Sequence, residues 1–194
     1  MSSSQPISKD KLYNYIYYYP HVLDPASCNS IIQHYNKDTF NSWQTSTFSN
    51  AYKNLGTSKV DMKEFWIAPQ MFGYKTIQQG FDIAVKDYIS IHTRIKIQEY
   101  TNFRINCYET GGFMKEHIDN IHHSHGQKTG YPHLTSLIFL NDNYEGGEFM
   151  MLDETYKPEV KQGSVIVFPS NFMYDHEVKK VTKGNRYSVM TWIM

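Results

Sequence analysis

The spacing of apolar positions changes character near residue 92. Before it, two stretches carry helical periodicity. Asp24-Pro25 reads as an N-cap followed by a proline at the first helical position, opening a helix through Ile31, Ile32 and Tyr35. Residues 70–92 put Ile77, Phe81, Ala84, Val85, Tyr88 and Ile91 on one face, a stripe that must be buried against a core. Ahead of both, the run Tyr13 to Tyr19 predicts a strand ended by Pro20. Residues 41–63 are rich in Ser, Thr, Asn and Lys, with isolated Trp43, Phe48 and Tyr52. A stretch of this length without periodicity predicts a loop or irregular hairpin, and its scattered aromatics suit a lid.

After His92 the texture becomes short β-rich runs: Arg94–Gln98, Phe103–Tyr108, His133–Leu140, Glu148–Leu152, Ser164–Phe168 and Tyr187–Ile193. Gly111-Gly112, Asn141-Asp142-Asn143, Gly146-Gly147 and Lys183-Gly184-Asn185 punctuate them as turns. Strands so spaced predict a sandwich or barrel. The expected architecture is mainly β with supporting helices (α+β), one domain over residues 1–194. Within it residues 1–10 are frayed, 11–92 hold the N-terminal strand, helices and lid, and 93–194 form the β core.

Composition narrows the function classes. Nineteen Lys plus Arg balance nineteen Asp plus Glu, so the formal net charge is zero. A general binder of nucleic acid or anionic membrane needs a cationic excess that is missing here. No apolar run reaches membrane-spanning length, and Met1-Ser2-Ser3-Ser4-Gln5-Pro6 lacks the apolar stretch of a secretory signal. The two cysteines, Cys28 and Cys107, are too few and too far apart for a disulfide framework or a Cys-based zinc site. A cytoplasmic protein in a reducing compartment is the expectation. The sixteen tyrosines suit strands and the walls of polar clefts, and carry no motif of their own.

The chemistry starts at His117-Ile118-Asp119. On a strand, residues i and i+2 share a face, so this pair aims an imidazole and a carboxylate at one point. Alone it is weak. His176 supplies a second imidazole, and two histidines with one carboxylate make the facial triad that leaves open positions on non-haem Fe(II). Zinc would more often take a third His or a Cys. Arg186, ten residues further on, offers a planar fork matched to a carboxylate.

With those residues in place, the sequence resembles the prolyl 4-hydroxylase-type branch of the 2-oxoglutarate/Fe(II)-dependent dioxygenases. The likeness runs from about Arg104 to Trp192. It passes through Tyr108-Glu109-Thr110-Gly111-Gly112, His117-Ile118-Asp119-Asn120, Leu137-Ile138-Phe139-Leu140-Asn141 and Gly146-Gly147-Glu148. It closes with the run from Lys161 to Phe168, His176, Gly184-Asn185-Arg186 and Trp192. The resemblance implies a double-stranded β-helix (jelly-roll) core, with iron held by His117, Asp119 and His176. It implies 2-oxoglutarate and O2 as cosubstrates, with ascorbate an optional addition. Arg186 would take the distal carboxylate of 2-oxoglutarate, and Tyr108 would line the same pocket. Ser188, Met190 and Trp192 would share the face of Arg186 and line the same cavity, with Trp192 counted among the cosubstrate-binding residues, while Phe139 stands where some relatives carry a tyrosine. The implied reaction hydroxylates a C–H bond, with a prolyl residue of a protein or peptide as the favoured substrate. Lysyl, free amino acid or nucleobase substrates stay open within the superfamily, and a non-catalytic metal-binding jelly-roll stays open outside it.

Other polar clusters read more plainly. His122, His123, His125 and His133 occupy a loop without ligand-like order. Lys179, Lys180 and Lys183 read as a solvated face. Asp175 and Glu177 flank His176, and alternation points them away from any metal.

Overall fold

The computed structural model describes residues 9–37, 42–46, 59–119 and 131–194. A 3-10 helix, Lys9–Tyr15, precedes the first strand, β1 (Tyr17–Tyr19). The expected long strand from Tyr13 is therefore half helical turn, because Ile16 closes onto the Tyr13 carbonyl instead of a sheet partner. Helix α1 (Pro25–Tyr35) starts as its N-cap predicts, with Asp24 accepting from the Ser27 N–H. Strands β2 (Gln44–Thr45), β3 (Val60–Asp61) and β4 (Lys63–Ile67) follow. Both ends of the expected lid are thus sheet, and its centre, residues 47–58, lies outside the described residues. Helix α2 (Tyr74–Ile91) buries the predicted stripe except at its last member, since Ile91, at the helix end, is exposed.

The β-rich part contains β5 (Phe103–Tyr108), β6 (Phe113–His117), β7 (Leu134–Phe139), β8 (Glu145–Gly146), β9 (Phe149–Met151), β10 (Val165–Pro169), β11 (His176–Val178), β12 (Val181–Lys183) and β13 (Arg186–Ile193). Arg94–Gln98 is no strand. It runs irregularly beside the C-terminal strand, where the Gln98 N–H donates to the Met194 carbonyl. Among the described residues, one sheet has the order β1-β10-β7-β13-β5-β4-β2 and a second has β3-β6-β11-β9. A β12-β8 ribbon completes the set.

The larger sheet has two buried faces. On one, Ile67, Phe103, Ile105, Ile138, Val165, Val189 and Ile193 join Ile31, Ile77, Phe81 and Tyr88 of the helices in an apolar core. On the other, Tyr108, Leu137, Phe139, Ile166, Phe168, Met190 and Trp192 meet Met114, Phe149 and Val178 of the smaller sheet. This second cluster walls the interior in which the polar residues gather. Registers fix that wall. Arg186 lies opposite Tyr108, Ser188 opposite Asn106, and Met190 opposite Arg104. Met190 also faces Leu137, and Trp192 faces Thr135.

Candidate metal centre

His117 ends β6 and His176 begins β11, and the two strands pair with these residues directly opposite each other. Their ring centres stand 4.2 Å apart. Asp119 lies just past the end of β6, in a bend, so the His-x-Asp pair is not wholly on a strand. The bend brings its carboxylate to the Nε2 edges of both rings, Oδ1 at 3.7 Å from His117 Nε2 and Oδ2 at 3.5 Å from His176 Nε2. One donor atom from each residue falls within 4.8 Å of the others.

The surroundings fix the state of each donor. Nδ1 of His117 sits 2.9 Å from the Lys115 carbonyl, and Nδ1 of His176 sits 3.2 Å from the Tyr174 carbonyl. A carbonyl only accepts, so each Nδ1 carries the hydrogen and each Nε2 keeps its lone pair for a metal. Burial, aided by the neighbouring His176, pushes the His117 imidazole down to about 3. Burial alone would raise the Asp119 carboxyl, but the two imidazoles and the Thr135 hydroxyl together hold it below its ordinary range. Thr135 donates to Asp119 Oδ2 at 2.7 Å, and its oxygen also meets Ser170 Oγ at 2.8 Å. Phe149 and Phe168 pack on the His176 ring. Two imidazoles and one carboxylate on one side of a point suit a six-coordinate metal with three positions open.

Arg186 is 1% exposed. Its Nη1 donates to Ser188 Oγ at 3.3 Å, and its guanidinium carbon lies 5.2 Å from the Tyr108 ring centre and 5.5 Å from that of Phe139. Its Nε and Nη2 have no partner among the described residues. Gly147, with φ of 65°, lets the chain pass over this side chain, because a Cβ there would meet Arg186 Cδ at 3.2 Å. Burial raises the Tyr108 phenol even against the Arg186 charge, so it stays a neutral O–H. The register sets Tyr108 beside Arg186, while Trp192 stands at the opposite end of β13, near Thr135.

Several polar residues of the cavity face escaped the sequence reading: Arg104, Asn106 and Glu64, besides Thr135 and Ser170. Arg104, Asn106 and Tyr108 alternate along β5, and that period of two was the available signal. Lys179 is ion-paired with Glu154 at 2.8 Å and Glu177 at 2.6 Å, so it is less free than a solvated face implies. Asp175 faces away from the metal centre and accepts from the Asp153 N–H. His133 is exposed, and His122, His123 and His125 lie outside the described residues.

Residues 103–194 match the family model of the 2OG-Fe(II) oxygenase superfamily. A PKHD-type hydroxylase of Pseudomonas putida (strain F1) is 36% identical over 97 residues, 45% of this chain and 41% of the relative. A PKHD-type hydroxylase of Prochlorococcus marinus is 38% identical over 81 residues, 40% of this chain and 34% of the relative. The matching segment thus spans between a third and two fifths of the length of these curated relatives. Among solved structures, a prolyl-4-hydroxylase of Pseudomonas putida superposes with a TM-score of 0.72 at 16% identity, covering 95% of both chains. A prolyl hydroxylase from Trichoplax adhaerens, in complex with a hypoxia inducible factor peptide fragment, also gives 0.72, at 20% identity, covering 96% of this chain and 86% of that one. The fold is the jelly-roll of the 2OG-Fe(II) oxygenases, as the sequence resemblance implies. No helix of the described residues is long and apolar enough to cross a membrane.

Proposed function

We propose that this chain is an Fe(II)- and 2-oxoglutarate-dependent dioxygenase that hydroxylates a C–H bond, with a prolyl residue of a protein or peptide as its substrate. The carrying observation is the buried Arg186, whose Nε and Nη2 have no partner among the described residues, together with the convergence of the His117–Asp119–His176 donors. A buried cation left unpaired is costly, so this position calls for an anion. A structural metal site has no use for such a cation, which counts against the non-catalytic reading. The donor set fits Fe(II), and the fork of Arg186 fits the distal carboxylate of 2-oxoglutarate.

In this reading, His117, Asp119 and His176 hold the metal on one side and leave the other side open for cosubstrates. Thr135 and Ser170 orient the carboxylate of Asp119, and the Lys115 and Tyr174 carbonyls set the imidazole tautomers. Arg186 anchors the distal carboxylate beside the Tyr108 ring, whose hydroxyl donates to Met114 Sδ at 3.6 Å. Phe139, Phe149 and Phe168 keep water from the space between. When bound, iron with 2-oxoglutarate and O2 supplies the oxidising power for C–H cleavage, 2-oxoglutarate leaving as succinate and CO2. Support for a prolyl peptide comes from the prolyl hydroxylases that share this fold and from the absence of any net charge that would favour nucleic acid.

The test is succinate release from 2-oxoglutarate by the purified chain with Fe(II), with and without proline-containing peptides. Succinate formed with wild type and lost in Asp119→Ala is the expected result. No succinate under any of these conditions would overturn the assignment.

A further inference from the structure

The described residues bury four formally charged side chains besides the histidines: Arg186 and Asp119, assigned above, and Arg104 and Glu64, which the proposed chemistry leaves without a role. All four belong to one interior. Glu64 and Trp66 on β4 lie opposite Asn106 and Arg104 on β5, and Arg104 lies opposite Met190 on β13. Arg104 Nη1 stands 3.5 Å from Glu64 Oε2, at 4% and 1% side-chain exposure. The guanidinium carbon is 5.5 Å from the Trp66 ring centre and 5.8 Å from that of Trp192. Aromatic faces favour such a cation and hold its plane.

The pair is placed away from the cosubstrate anchor. Arg104 is four residues before Tyr108, about 13 Å along a strand, and it is Tyr108 that faces Arg186. Arg104 stands instead near Trp192, which faces the Thr135 that holds Asp119. Its charge is felt at both Asp119 and His117.

We propose that Arg104 and Glu64 determine substrate specificity: paired beside Trp66 and Trp192, they leave the substrate side of the cavity without net charge and restrict the target to an uncharged residue. The inference rests on the dioxygenase reading and deepens it. Arg104 and Arg186 are balanced by Asp119 and Glu64. Fe(II) and dianionic 2-oxoglutarate balance each other, so the buried charges of the described residues leave the loaded site neutral. A lysyl ammonium or an aspartyl carboxylate entering it would be buried without a counter-charge, which is costly. A prolyl, leucyl or asparaginyl residue brings no charge. Within this pair, Glu64 is the element that rejects acidic targets, and Arg104 is the one that rejects basic targets.

The test uses the full chain with Fe(II), 2-oxoglutarate and synthetic peptides differing at one central position (Pro, Leu, Asn, Lys or Asp), read by mass spectrometry for one added oxygen. Wild type modifies an uncharged residue. Glu64→Gln raises modification of the Asp peptide relative to the uncharged one by about tenfold, and Arg104→Met does the same for the Lys peptide. The double variant Glu64→Leu/Arg104→Met, which removes both charges together, returns to uncharged targets and serves as the folded control. Wild type preferring Lys or Asp, or preferences indifferent to both single changes, would overturn the proposal. Modification of Leu or Asn in place of Pro would fell the prolyl reading and leave this one standing. Proline preference surviving both single variants would do the reverse. Calorimetry of 2-oxoglutarate binding to the Mn(II)-loaded proteins gives a readout independent of turnover. Glu64→Gln should tighten binding several-fold and Arg104→Met should weaken it; equal affinities in all three proteins would overturn the coupling.

Discussion

The two faces of the larger sheet are built from the same strands and do opposite work. Along β13, Tyr187, Val189 and Ile193 enter the apolar core beneath the helices, while Arg186, Ser188, Met190 and Trp192 face the metal centre. Both sets are buried. The helix face is closed by packing: Gly80 of α2 sits so near Leu23 and Ile138 that a Cβ there would meet their side chains at 3.1 and 3.2 Å. The cavity face carries the buried charged side chains Glu64, Arg104, Asp119 and Arg186. One face supplies stability, and the other spends part of it on chemistry.

That division can be broken from either side. The largest effect belongs to the helix face. Phe81→Ala removes a fully buried ring packed on Phe103 and should cost about 3–5 kcal/mol of unfolding free energy. Urea unfolding would show it, and Mn(II) affinity of the folded fraction should not change. On the cavity face, Arg186→Met should weaken 2-oxoglutarate binding about ten- to hundredfold, the range for a hydrogen bond to a charged group, while metal affinity holds. Calorimetry separates the two, and equal losses in both would contradict the role given to Arg186. Thr135→Val keeps the shape and deletes the donor to Asp119, so metal affinity should fall about tenfold with little loss of stability.

The smallest effect sharpens the comparison by silence. Cys28 and Cys107 both lie in the helix-side core, and burial pushes each thiol up to about 11. Neither should react with a thiol reagent at pH 8 until the chain unfolds. The sign of the linkage follows. Unfolded thiols ionise near 9 and folded ones near 11, so their contribution to stability is intact below 9 and declines as pH rises towards 11. A melting series between pH 8 and 11 measures it.

Much of this was legible in the sequence because the signals were local. Asp24-Pro25 specifies the start of α1 through a single cap, and the stripe of α2 follows from a period of 3.6. His117, Asp119, His176 and Arg186 were singled out from residue type and spacing; the fold brings the donor atoms of the first three together and buries the fourth. What escaped was decided by partners distant in the chain. The β4 residues Lys63-Glu64-Phe65-Trp66-Ile67 present two charges at their start, and only pairing with β5 makes them a strand. Arg94–Gln98 has the alternation of a strand, and Ile95 and Ile97 do pack on the core, but the segment has no ladder to join. Ile91 kept the helical period one turn longer than the core beneath it. Asp119 left its strand because the bend after His117 is what turns its carboxylate back to the Nε2 edges of both rings.

The alternation along β13 also acts as a check on assembly. Side chains change face with every residue, so a slip of one position would drive Arg186 into the oily layer under the helices and leave Tyr187 on the cavity face. The misaligned pairing would bury a charge among side chains with nothing to offer it, and would forfeit Val189 and Ile193 from the layer they fill. The residues that make the strand chemically useful are thus the ones that make its misalignment intolerable. Correct threading of β13 and a competent pocket arrive as a single event.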